Sequence, residues 1–152
     1  MEVTSFEQSK ALLESGLKRE SADLWWIQRY VAEWVGNDED GKAFEHHVEP
    51  VTYLSFVNEG LYNMSQDKVV VTPAWSLGRL LRMFKAEECK PAFRLVKGGY
   101  IEGEDGDDYI SEWFAIYEQI GDGEFYYCEN DKSAVTAVVK LILKLKKEGI
   151  EI

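Results

Sequence analysis

Cysteine is almost absent. Cys89 and Cys128 are the two in 152 residues, far apart and outside any CxxC spacing. That excludes the usual zinc and thioredoxin-like arrangements and leaves two free thiols, with no disulfide expected between them in the cytoplasm. Histidine is as scarce: His46 and His47 are the whole supply and they are adjacent, so imidazole chemistry has one place to occur. Positive charge is short, with 17 Lys and Arg against 28 Asp and Glu, a net −11. A field of that sign repels phosphate backbones, and nucleic-acid binding is not expected. No run approaches the roughly 18 apolar residues of a membrane span. The first residues, Met1 to Glu7, lack the basic region and apolar run of a signal peptide. The expectation is a cytoplasmic protein that does not enter a membrane.

Apolar residues are plentiful at 45%, with five Trp, eight Tyr and seven Phe, enough for a sizeable core in a single domain spanning 1–152. The chain reads as organised around residues 69–84. Val69, Val70 and Val71 suit a buried strand. Thr72 and Pro73 then have the chemistry of an N-cap and a first helical residue. Leu77, Leu80, Leu81 and Phe84 fall at i, i+3, i+4 and i+7, one helical face. Trp75 lies off that face, and either packs on the valine strand or faces a partner.

The remaining elements follow in order. Thr4 and Glu7 are spaced as a capping box for a helix over 4–15, which Gly16 can end. Residues 23–35 fit both a helical stripe and a strand, and their β-branched and aromatic composition leans to strand. Residues 37–41 read as an acidic hairpin tip and 43–57 as partly strand. Ser65-Gln66-Asp67 turns the chain before the valines. Phe93 to Lys97 alternates apolar and basic, a strand with one wet face. Gly98-Gly99 is a turn or bulge, and residues 102–108 an acidic loop. Residues 109–120 and 125–128 form a hairpin around Gly121-Asp122-Gly123. Asp131 or Ser133 caps a final helix whose apolar face runs from Ala134 to Leu145, with Lys144, Lys146 and Lys147 in its last turns. The expected fold class is α+β, one antiparallel sheet packed against N-terminal, central and C-terminal helices.

Chemistry-bearing constellations are few. His46, His47 and Glu49 are the residue types that bind a divalent ion, but adjacent strand or helix positions diverge and the spacing matches no HExxH pattern. Neither acidic loop supplies the first, third and last ligands of an EF-hand: Gly106 as the loop glycine puts Ile101 and Gly103 in ligand positions, and Gly41 puts Gly36 first and His47 last. There is no GxSxG, GxGxxG ahead of a helix, or GK[ST], so no cofactor is expected. The five tryptophans serve a core better than a stacking platform.

The segment Thr72-Pro73-Ala74-Trp75-Ser76-Leu77-Gly78-Arg79-Leu80-Leu81 resembles the PAWSL-type motif of small uncharacterised proteins of gut bacteria, their phages and mobile elements. An early Ser-Ala-Asp, here Ser21-Ala22-Asp23, and an Ala-rich last helix, here 133–145, belong to the same resemblance. It covers about a quarter of the chain, and the region 36–66 is longer than the resemblance leads one to expect. It implies strand rather than helix before Trp75 and an accessory role, and brings no catalytic residues. The expected function is a non-enzymatic accessory or binding protein associated with a phage or mobile element. A second reading is an acidic, immunity- or inhibitor-like protein in which Asp38, Asp40, Glu104, Asp105, Asp107 and Asp108, with Trp75, meet a basic partner. A third is a metal-dependent enzyme using His46, His47 and Glu49.

Overall fold

A computed structural model of the chain describes residues 2–37, 43–57, 69–84 and 91–152; for 29–37, 43–51 and 69 it describes the backbone alone. The fold class is α+β, with antiparallel strand pairs and N-terminal, central and C-terminal helices. Among the described residues the strands form two three-stranded sheets where one sheet was expected. The backbone divides into two compact units, Met1–Asp23 together with Ala74–Ile152, and Leu24–Pro73.

In the first unit α1 spans Phe6–Glu14. The expected capping box is displaced by one residue. Ser5 is the N-cap, and its hydroxyl accepts from the Gln8 N–H while the Gln8 side chain accepts from the Ser5 N–H. Thr4 is spent elsewhere: it is buried, and its hydroxyl shares a 2.8 Å hydrogen bond with Ser9. Gly16, at φ +101°, ends the helix with the Leu17 N–H donating back to Leu12 and the Gly16 N–H to Leu13. A short 3-10 turn, Arg19–Ser21, follows.

The central helix is shorter than its sequence stripe. Strand β3 runs Val69–Ala74, through Thr72 and Pro73, and α2 is Leu77–Leu81. Ser76, not Thr72, is the N-cap, accepting from the Arg79 N–H. The reason lies at the N-terminus of the chain. Thr4 N–H donates to the Trp75 carbonyl, the Trp75 N–H donates to Thr4 Oγ1, and the Leu77 N–H donates to the Glu2 carbonyl. These bonds hold residues 75 and 76 in a bridge with the Val3 segment, so a helix cannot start before Ser76. Among the described residues β3 lies at the edge of its sheet, where a proline is tolerated.

The sheet of this unit has the order β4–β5–β6, with β4 Ala92–Gly103, β5 Gly106–Gln119 and β6 Phe125–Asp131. Both hairpins are antiparallel; β5 and β6 pair from Gln119↔Phe125 to Trp113↔Asp131 around the Gly121-Asp122-Gly123 loop, as expected. Helix α3, Ala134–Lys147, follows. Ser133 caps it, and Asp131 accepts from the Ser133 N–H. Its face Ala134, Val135, Val138, Ile142 and Leu145 is buried as the periodicity predicts, and Gly149 at φ +73° stops it. One face of the sheet, carrying Phe93, Leu95, Trp113, Ala115, Tyr117, Phe125 and Tyr127, joins α1, α2 and α3 in the core. Phe84 and Phe93 stack there with ring centroids 4.1 Å apart.

The second unit contains β1, Leu24–Asn37, and β2, Ala43–Ser55, paired antiparallel from Trp25↔Ser55 to Asn37↔Ala43; β3 lies on the other side of β1. The composition of residues 23–35 therefore pointed the right way. The tip at Asp38 and Asp40 and the turn at 65–67 lie outside the described residues.

Candidate functional site

Three places in the sequence invited a functional reading: the Trp75 motif, the acidic loops and the histidine pair.

The Trp75 motif is a lock. The Trp75 side chain is 0% exposed and belongs to the core, so the placing of Trp75 on a partner surface is corrected. Its indole N–H donates to Ser21 Oγ at 3.0 Å. Asp23 accepts from the Ser76 N–H at 2.9 Å and from the Ser76 hydroxyl at 2.5 Å. The Arg79 Nε–H donates to the Ser21 carbonyl. The two patches, Ser21-Ala22-Asp23 and Trp75-Ser76, are thus hydrogen-bonding partners some fifty residues apart in sequence. A buried indole with its N–H satisfied has no polar demand left for a ligand to meet. This assembly holds the fold together and offers no reactive group.

The second acidic loop is mostly strand. The β4–β5 pairing continues through Ile101↔Asp108 and Glu102↔Asp107 to Gly103↔Gly106, leaving Glu104 and Asp105 as a two-residue tip. Asp107 and Asp108 are the first residues of β5 after Gly106, not loop residues. Since β6 pairs with β5 only as far as Trp113, residues 99–110 form a two-stranded arm beyond the three-stranded sheet. A register shift between Lys97 and Gly99 marks its root. Glycine is required there twice: Gly98 has φ +83°, and a Cβ on Gly99 would lie 2.8 Å from Cε2 of Phe114. Glu102, Glu104, Asp105, Asp107 and Asp108 are all exposed. Tyr100 and Tyr109 face each other across the arm in an edge-on pair, centroids 5.4 Å apart, and remain 69% and 61% exposed. Neither tyrosine stood out in the sequence. The sign that could have found them is Gly103-Glu104-Asp105-Gly106, a two-residue hairpin tip flanked by glycines, from which the strand register extends back to both rings.

The histidine pair lies in β2, where the backbone of His46 is opposite Trp34 and that of His47 opposite Glu33; Glu49 is opposite Val31. Their side chains are outside what the structure describes.

The sheet face away from the helices carries a shallow groove of about 470 Å³ around Val96, Phe114, Ile116, Tyr126 and Cys128. Arg94 pairs with Glu118 at 2.8 Å at one end, and Asn130 donates to Glu112 at 2.7 Å at the other. Burial, more than any other influence, pushes the Cys128 thiol up, partly offset by its hydrogen bond with Tyr126; burial likewise raises the Tyr126 phenol, with Cys128 adding to it. Cys128 is therefore held as the thiol at neutral pH and is a poor nucleophile.

The carboxylates of the arm and Trp75 do not share a surface. What the structure brings together instead is a pair of exposed tyrosines and five carboxylates on one arm. Compared with known proteins, the chain matches no family model, no curated protein and no solved structure.

Proposed function

We propose that this chain is a non-enzymatic binding protein that uses its β4–β5 arm against a basic surface on a protein partner, in the cytoplasm and in the setting of a phage or mobile element. The observation that carries the reading is the arm: two exposed tyrosines ringed by Glu102, Glu104, Asp105, Asp107 and Asp108 on a ribbon that has no third strand among the described residues. Tyrosine supplies contact area at low entropic cost and is enriched where proteins meet. Like charges so close repel one another and gain most from an opposed cationic surface, which also speeds encounter. The same field argues against nucleic acid as the partner.

The test is co-purification from the source cells, with the wild-type chain and with a variant carrying Glu104→Gln, Asp105→Asn, Asp107→Asn and Asp108→Asn. A partner retained at low salt, lost at about 0.5 M salt and lost with the variant supports the reading, because the Debye length shrinks to a few ångströms over that range. Capture that ignores both salt and neutralisation refutes it. Genes beside this one bear on the setting: a phage or mobile-element operon is the expected neighbourhood.

A further inference from the structure

We infer that residues 24–73 are an inserted module, and that the rest of the chain is a scaffold that closes on itself at the insertion point and keeps its fold when the insert opens. This does not rest on the arm's proposed role.

The core supports it first. Among the described side chains, every residue of the main hydrophobic cluster, from Leu12 and Leu17 through Trp75, Leu80, Ala115 and the face of α3, comes from the two scaffold segments.

The junction supports it independently. The insert leaves after Asp23 and the scaffold resumes at Ala74. On the scaffold side, Ser21 and Asp23 are bonded to Trp75, Ser76 and Arg79 by the lock already described. The two ends are therefore held together by scaffold groups within six residues of each cut. Within the insert, the departing strand β1 and the returning strand β3 are neighbours in one sheet. Size sets the order of opening. A unit of roughly one hundred residues can bury a core of its own, whereas one of about fifty is marginal.

Amide hydrogen exchange of the full chain, followed against denaturant, decides the matter. The expected result is two isotherms: β1 and β2 amides exchange through an opening that leaves the β5 and α3 amides protected. A single isotherm for both sets overturns the inference, and so does a scaffold that opens while the insert stays closed. The variant Ile27→Asp places a charge at a fully buried position of β1. It is expected to cut β1 and β2 protection at least tenfold and to leave α3 and β5 within about threefold of wild type. If the scaffold amides fall in step, or the variant does not fold at all, the scaffold depends on the insert and the inference fails.

Discussion

Trp75 and Tyr100 are both large aromatics beside a charged turn, and the structure puts them to opposite uses. Trp75 is fully buried, its N–H and its backbone are satisfied by Ser21 and Thr4, and charged Asp23 and Arg79 tie its surroundings together. Tyr100 is mostly exposed on an arm whose carboxylates point to solvent. What separates them is the number of neighbouring elements. Residue 75 lies where the N-terminal segment, the 3-10 turn and α2 converge. Residue 100 lies on a ribbon that no third strand supports among the described residues. A motif distinctive in sequence thus proves to be structural, and a stretch that looked like a solvated loop is the better candidate surface.

The comparison predicts a graded set of effects. Trp75→Ala should be the largest, destabilising the fold by about 3–5 kcal/mol as truncation of a buried aromatic does; thermal or denaturant unfolding measures it, and a loss under about 1 kcal/mol would put Trp75 outside the core. Thr4→Val keeps the shape but takes away the acceptor of the Trp75 N–H and the hydrogen-bond partner of the Ser9 hydroxyl. It should cost about 1–3 kcal/mol, the penalty for an unsatisfied buried group, read from the shift in denaturant midpoint. Asp23→Ala removes two hydrogen bonds to Ser76 at a more exposed position, and about 1 kcal/mol is expected.

A smaller effect is set by pH. The backbone N–H of Ser133 first, and then Lys140, hold the Asp131 carboxyl below its usual value. A folded pKa below the unfolded one contributes stability above the unfolded pKa, lost as pH falls through the folded value. Asp131→Asn should therefore destabilise α3's start slightly at neutral pH, by a few tenths of a kcal/mol for so solvated a group, and be neutral once pH is well below the carboxylate range. Unfolding midpoints of both proteins across pH 2–7 check the sign. At the bottom of the scale, neutralising Glu104, Asp105, Asp107 and Asp108 should move stability by no more than about 0.5 kcal/mol, the usual range for surface changes. A large drop would make the arm a structural element and erase the contrast with Trp75.

Much of the fold was legible because local chemistry and tertiary outcome agree. The α3 stripe and its Gly149 stop need only the helical period, and its cap narrows to Asp131 or Ser133, of which the structure uses Ser133. The Gly121-Asp122-Gly123 hairpin and the alternation of Phe93 to Lys97 need only the pleat. The α1 cap missed by one residue because Thr4 and Ser5 can both do the job locally, and only the approach of Trp75 decides which is free. The candidate site was half legible. Its carboxylates were visible as a charge run, but Tyr100 and Tyr109 become partners only through a register that carries the strands past the apparent loop.

By itself, then, the sequence determined the class of fold, the three helices, the hairpin around Gly121-Asp122-Gly123 and the sign of the charge, because those follow from periodicity and composition along the chain. Tertiary structure alone decided that Thr72 and Pro73 stay in a strand, that Ser21 and Asp23 bond to Trp75 and Ser76, and that the strands divide into two sheets with 24–73 between the halves of one unit. Each of these is a competition for backbone and side-chain hydrogen-bonding groups between segments far apart in sequence, and the outcome depends on which segments the fold brings within reach.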